Sequence, residues 1–125
     1  MAVLHVEDDD SVRKATRRAL TAFGFAVVSV NGVRAANVAL AARADITGAF
    51  LDVELGDGNG IDLYHWIAAH RPDLAERVAF VTANADGKAS AFAALGCAVF
   101  RKPCDIVDLT LIAAAWEASA QPSAP

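Results

Sequence analysis

The chain has 125 residues and a mass of 13.0 kDa, the size of one compact domain that can bury a hydrophobic core without disulfide or metal staples. A formal net charge of −4 and a pI near 5.2 give no electrostatic footprint for nucleic acid, and no apolar stretch is long enough to cross a bilayer. The opening MAVLHVEDDD runs straight into four acids with no basic region or cleavage site, so no export is expected, and Cys97 and Cys104 lack CxxC or metal spacing and are expected to be reduced thiols in a cytosol.

Ala2 to Val6 has the continuous apolar character of a buried strand. Val12, Ala15, Thr16, Ala19, Leu20 and Phe23 then recur at helical spacing, with Asp10 or Ser11 available as the cap and Gly24 as the stop. Phe25 to Val30 is rich in β-branched residues, Arg34 to Ala44 predicts an alanine-rich helix, and Ile46 to Leu51 predicts a third strand that ends at Asp52. A loop holding Gly56, Gly58 and Gly60 leads to a helix over Ile61 to His70, closed by Pro72, and Val78 to Val81 predicts the fourth strand. Ala85 to Leu95 is the weakest helix, with Gly87 and a run of alanines. Cys97 to Phe100 predicts the fifth strand. Lys102-Pro103 follows, then a last helix capped by Asp105 with Ile106, Leu109, Ile112, Ala113 and Trp116 facing inward. The expected organisation is one domain over residues 1–118 and a frayed tail over 119–125. Five βα repeats predict an α/β fold: a single doubly wound five-stranded parallel sheet with five helices on its two faces.

In such sheets the ligand site lies beyond the C-terminal ends of the strands, so the residues that follow each strand are read together. They are Glu7 and Asp8 after the first strand, Asp52 after the third, Thr82 after the fourth and Lys102 after the fifth. Converging carboxylates repel unless a hard divalent cation lies between them, and Mg²⁺ suits oxygen ligands. A metal, an ammonium and a hydroxyl are also suitable stabilisers of a phosphoryl group moving to a carboxylate, and Asp52 is the best-placed acceptor. Asp9 and Asp10 read as solvated acids, His5 as a packed core histidine, His65 and His70 as surface residues, and Trp66 and Trp116 as packing groups.

With these residues in order, the chain resembles the response-regulator receiver family over nearly its whole length. VLHVEDD is similar to the family's first strand and acidic pair, FLDVELGDGNG to its phosphorylation segment, and FVTA and RKP to its remaining two motifs. The resemblance implies a flavodoxin-like fold with strand order 2-1-3-4-5, and a two-component phosphorelay in which Asp52 accepts a phosphoryl group from a histidine kinase or histidine phosphotransfer protein. It further implies direct Mg²⁺ ligation by Asp8, Asp52 and the backbone carbonyl of Glu54, with Glu7 acting through metal-bound water and Thr82 and Lys102 binding phosphoryl oxygens. Such a domain is a cytoplasmic phosphoacceptor that catalyses its own phosphorylation and dephosphorylation without being a conventional enzyme, and it contacts no nucleic acid or membrane itself. A downstream protein target would read the switch.

Three departures from the family pattern stand out. Gly96 to Lys102 is one residue shorter than usual, and Val99 occupies the position of the usual switching aromatic; Phe100 beside it points to the opposite face. Glu54 and Asn84 fill the two variable positions that modulate loss of the phosphoryl group. The fourth helix, part of the family's signalling surface, is short and alanine-rich. Arg13, Lys14, Arg17 and Arg18 form a basic stripe that reads either as a solvated face or as a docking face for the phosphodonor. Two other readings use the same residues: a haloacid-dehalogenase-like phosphatase, which needs an Asp where Glu54 stands, and a pseudo-receiver used only for protein contacts.

Overall fold

The computed structural model describes residues 1–120. The elements in chain order are β1 (Ala2–Val6), α1 (Asp10–Ala22), β2 (Val27–Val30), α2 (Val33–Ala42), β3 (Ile46–Leu51), the short strands β4 (Glu54–Leu55) and β5 (Gly58–Asn59), and α3 (Gly60–His70). There follow a single turn α4 (Pro72–Ala75), β6 (Val78–Thr82), a 3₁₀ turn over Asp86–Lys88, α5 (Ala89–Leu95), β7 (Ala98–Arg101) and α6 (Ile106–Ala120). Five strands form one parallel sheet in the order β2-β1-β3-β6-β7, the order 2-1-3-4-5 expected of the five long strands, while β4 and β5 pair as a separate antiparallel hairpin. The helix expected over 85–95 is divided into the 3₁₀ turn and α5. Helix α6 runs through Ser119 and Ala120, and residues 121–125 of the expected tail lie outside the described residues.

Alternation along the strands divides the core in two. Leu4, Val6, Ala49, Leu51 and Phe80 face α2, α3 and α5, where they meet Leu40, Leu63, Ile67 and Phe92. Val3, Phe50, Ala79 and Val81 face α1 and α6, where they meet Leu20, Leu109, Ala113 and Trp116. Gly48 is needed on this second face, because a Cβ there would lie 2.5 Å from Trp116 Cε3; without one, the indole settles against the sheet with its centroid 4.8 Å from that of Phe50.

The first helix departs from its sequence pattern in two ways. Its N-cap is Asp9, which has extended backbone angles and accepts a hydrogen bond from Val12 N at 3.0 Å, rather than Asp10 or Ser11. Of the six residues expected to face inward, only Leu20 is fully buried, while Val12 and Phe23 are 41% and 57% exposed. The chain leaves the helix at Phe23, turns at Gly24 with φ of 95°, and buries Phe25 instead. The remaining stripe residues, Ala15, Thr16 and Ala19, are too small to fill the space beneath the helix.

Candidate functional site

The crossovers leave β1 and β3 in opposite directions, one toward β2 and one toward β6, so a crevice opens above the carboxyl ends of β1 and β3. Glu7 and Asp8 leave β1 at this edge, and Asp52, whose N–H donates to Val6 O at 3.0 Å, leaves β3 beside them. One carboxylate oxygen from each of Glu7, Asp8 and Asp52 lies within 4.8 Å of the others. Glu7 and Asp52 are buried and Asp8 is exposed, an arrangement of hard oxygen donors open on one side that fits a divalent cation retaining water.

Lys102 arrives from the end of β7, before a cis bond to Pro103, and its Nζ donates to Glu7 Oε1 and, at 3.0 Å, to Asp52 Oδ2. These bonds join residues 95 and 50 positions apart. Burial works against the Lys102 ammonium, but its two carboxylate partners outweigh this and raise its pKa above the ordinary value, so it is charged at neutral pH. Burial, opposed by Lys102 and reinforced by Asp52, pushes the Glu7 carboxyl up. Glu7 is also held from the backbone side: Asp9 N donates to its Oε2 at 3.3 Å, and the Arg13 guanidinium donates to its carbonyl at 3.1 Å.

Thr82 closes β6 and is 1% exposed; its Oγ1 accepts from Asn84 N at 3.1 Å, and its carbonyl accepts from Lys102 N at 2.9 Å. The hydroxyl and the lysine therefore share one strand pair. Glu54 lies in β4 with its side chain exposed, outside the carboxylate group formed by Glu7, Asp8 and Asp52. Val99 and Phe100 project into opposite cores, as their adjacent positions require.

Local sequence explains the loop after Asp52. Gly60 N donates to Val53 O at 2.8 Å, and a Cβ on Gly60 would lie 2.1 Å from Asp52 O, so only glycine lets the start of α3 come this close to the Asp52 backbone. Asn59 caps α3 by accepting from Asp62 N at 2.9 Å.

One contact around the site escapes sequence reasoning. Asp57, at the turn of the β4–β5 hairpin, accepts from Val33 N at 2.8 Å and Arg34 N at 3.0 Å, capping α2 from outside the helix because Gly32 has no side chain to do so. A Cβ on Gly32 would meet Asp57 Oδ1 at 2.5 Å. His5, expected as a packed core histidine, is 5% exposed on the α1 side of the sheet; its burial pushes its pKa down to about 4, helped by the Lys102 charge, and its Nδ1 has no partner among the described residues. Arg13 had a weak signal, a cation six positions past Glu7 in the first turn of a helix; Asp57 had none, since its partners are 24 and 23 residues away.

The fold and the family are both recognisable elsewhere. Residues 3–114 match the family described as the response regulator receiver domain. No curated protein matches the chain. Among solved structures, it is similar to a receiver domain protein (CheY-like) from Methanospirillum hungatei JF-1, with a TM-score of 0.81 and 22% identity over 94% of each chain. It is equally similar to the non-phosphorylated HemR receiver domain from Leptospira biflexa, with a TM-score of 0.81 and 24% identity over 98% of each chain. A sensor protein from Polaromonas sp. JS666 gives a TM-score of 0.82 and 23% identity over 94% of this chain and 96% of that one. With a family match spanning nearly the whole parallel sheet and its helices, the chain belongs to the response regulator receiver domain family.

Proposed function

We propose that this receiver domain is a phosphoacceptor of a two-component phosphorelay, with Asp52 as the residue modified. The observation that carries the reading is the convergence on one crevice of Asp52, the ammonium of Lys102 and the carboxylates of Glu7 and Asp8 from three separate strand ends. An acceptor carboxylate flanked by a fixed cation and a cation-binding group suits phosphoryl transfer, in which catalysis consists mainly of positioning and charge neutralisation.

The donor is a phosphohistidine presented by a histidine kinase or a histidine phosphotransfer protein. An Asp52 carboxylate oxygen attacks phosphorus, the phosphorus–nitrogen bond of the donor breaks, and the electron pair returns to the donor imidazole. Lys102 is positioned to neutralise charge on the phosphoryl oxygens, and Thr82 to meet them with its hydroxyl once that group leaves Asn84 N. Asp8, Asp52 and the Glu54 carbonyl would hold Mg²⁺, with Glu7 acting through water. When bound, Mg²⁺ supplies further charge neutralisation. Hydrolysis of the acyl phosphate restores the domain, and a downstream protein target reads the difference between the two states. A cytoplasmic location follows from these partners. The acid that a haloacid-dehalogenase-like phosphatase would need has no counterpart, since the Glu54 side chain is exposed and apart from the carboxylate group.

The test is intact mass of wild type and Asp52→Asn after incubation with acetyl phosphate, with and without Mg²⁺. A Mg²⁺-dependent gain of one phosphoryl group in wild type alone is expected. Equal labelling of both proteins moves the acceptor elsewhere, no labelling of folded protein supports a pseudo-receiver, and sustained donor consumption without labelling supports a phosphatase.

A further inference from the structure

Between α1 and α6, with Glu7 and Lys102 of the carboxylate crevice in its lining, lies a cavity of about 670 Å³. Its existence follows from the sequence of α1: Ala15, Thr16 and Ala19 line it, and their short side chains leave open the space between the helix and Val81 on β6 and Leu109 on α6. The volume falls within the range of small-molecule sites, and the walls are mainly apolar, as such sites usually are.

An independent observation points to an occupant. His5 lines the cavity, is 5% exposed, and has a buried Nδ1 with no hydrogen-bond partner among the described residues. Buried polar nitrogens are nearly always satisfied, and this one, sealed from solvent as the ring now lies, gains a partner when the ring turns it to the cavity. The charge balance narrows the chemistry. At the inner end, two carboxylates, Glu7 and Asp52, already face the single Lys102 ammonium, which disfavours an anion, and the apolar walls disfavour a cation.

We propose that the cavity between α1 and α6 binds a small, neutral, mainly apolar molecule bearing one hydroxyl, with its apolar body against the walls and the hydroxyl hydrogen-bonded to the His5 imidazole. A half-turn of the His5 ring about its Cβ–Cγ bond exchanges the positions of its nitrogen and carbon edges, so the orphaned nitrogen can be turned to the occupant. Because the cavity shares Glu7 and Lys102 with the crevice above, an occupant touches the back of the acceptor site. The inference rests on the cavity and His5 and stands whether or not Asp52 is phosphorylated.

Phenol is the probe, with toluene as the apolar control and benzoate as the anionic one, each titrated into the full ¹⁵N-labelled chain while amide and imidazole shifts are followed. Phenol is expected to give saturable shifts confined to β1, α1, the end of β7 and the start of α6, with benzoate giving none. Ala19→Leu, which puts three more carbons into the cavity, should weaken phenol binding, and Ala15→Leu serves the same purpose if that variant does not fold. His5→Val should weaken phenol about fivefold, the equivalent of one ordinary hydrogen bond, and leave toluene unchanged. Phenol shifts that fail to saturate, that saturate at the same concentration in Ala19→Leu as in wild type, or that are equally strong with His5→Val overturn the proposal. Amide dispersion reports the fold in every sample, and none of the readouts involves phosphorylation.

Discussion

The two faces of the sheet are built differently. On the α2–α3–α5 face, long aliphatic and aromatic side chains from the strands interlock with Leu40, Leu63, Ile67 and Phe92, and Ile67 and Phe80 are wholly buried. On the α1–α6 face, Trp116 fills one end by resting on Gly48 and Phe50, but α1 supplies alanines and a threonine, and the space beneath it is left open. An amphipathic spacing therefore determines which side of a helix faces the sheet, whereas side-chain volume determines whether that side is packed.

The two faces meet at Lys102, which lines the open cavity and reaches Asp52, and its loss should produce the largest effect. Lys102→Met is expected to slow acetyl-phosphate labelling on the order of 10²-fold, as loss of one charge-stabilising donor does, measured by intact mass over time. An undiminished rate would remove Lys102 from the phosphoryl site. On the well-packed face, Ile67→Ala should lower unfolding free energy by about 2–5 kcal/mol in urea melts, because the interlocked neighbours cannot collapse into the gap. Gly48→Ala tests the packed end of the other face: its methyl must displace Trp116, at a cost of about 1–3 kcal/mol with an altered tryptophan emission spectrum. Ala19→Leu at the open end should do the reverse and stabilise by on the order of 1 kcal/mol, since added methylenes enter a space instead of a packed core. Destabilisation there equal to that of Gly48→Ala would erase the distinction between the two ends.

The smallest effect is local and depends on pH. Asp57 is held below the ordinary carboxylate value of 3.8 by the backbone N–H groups of Arg34 and Val33. The unfolded chain therefore takes up this proton first on acidification. The cap's contribution is complete above the ordinary value and disappears as pH falls through the lower folded one. Hydrogen-exchange protection of Val33 and Arg34 should be lost in acid and, at neutral pH, in Asp57→Ala, while the amides of β3 remain protected.

Much of the fold was legible because buried parallel strands are continuous apolar runs, and Ala2–Val6, Ile46–Leu51 and Val78–Thr82 are such runs bounded by polar residues. The grouping of the candidate residues was legible for the same reason: Glu7, Asp52, Thr82 and Lys102 stand at or just beyond the points where apolar strands end. The cap of α1 was not, since three consecutive aspartates offer equal chemistry and only the extended backbone at Asp9 selects one. Phe25 reads as strand from its residue type, but it enters the core from the turn before β2. Asp57 was invisible because the groups it satisfies are brought to it only by the assembled sheet.

The α2 cap also couples two positions distant in sequence. A side chain at 32 would push the Asp57 carboxylate aside, and a glycine at 32 leaves the helix to be capped by an acceptor at 57. A double exchange, Gly32→Asp with Asp57→Gly, would move the cap into the helix's own chain and remove the tie between α2 and the hairpin that follows Asp52, so this one pair of positions decides whether the two segments are joined.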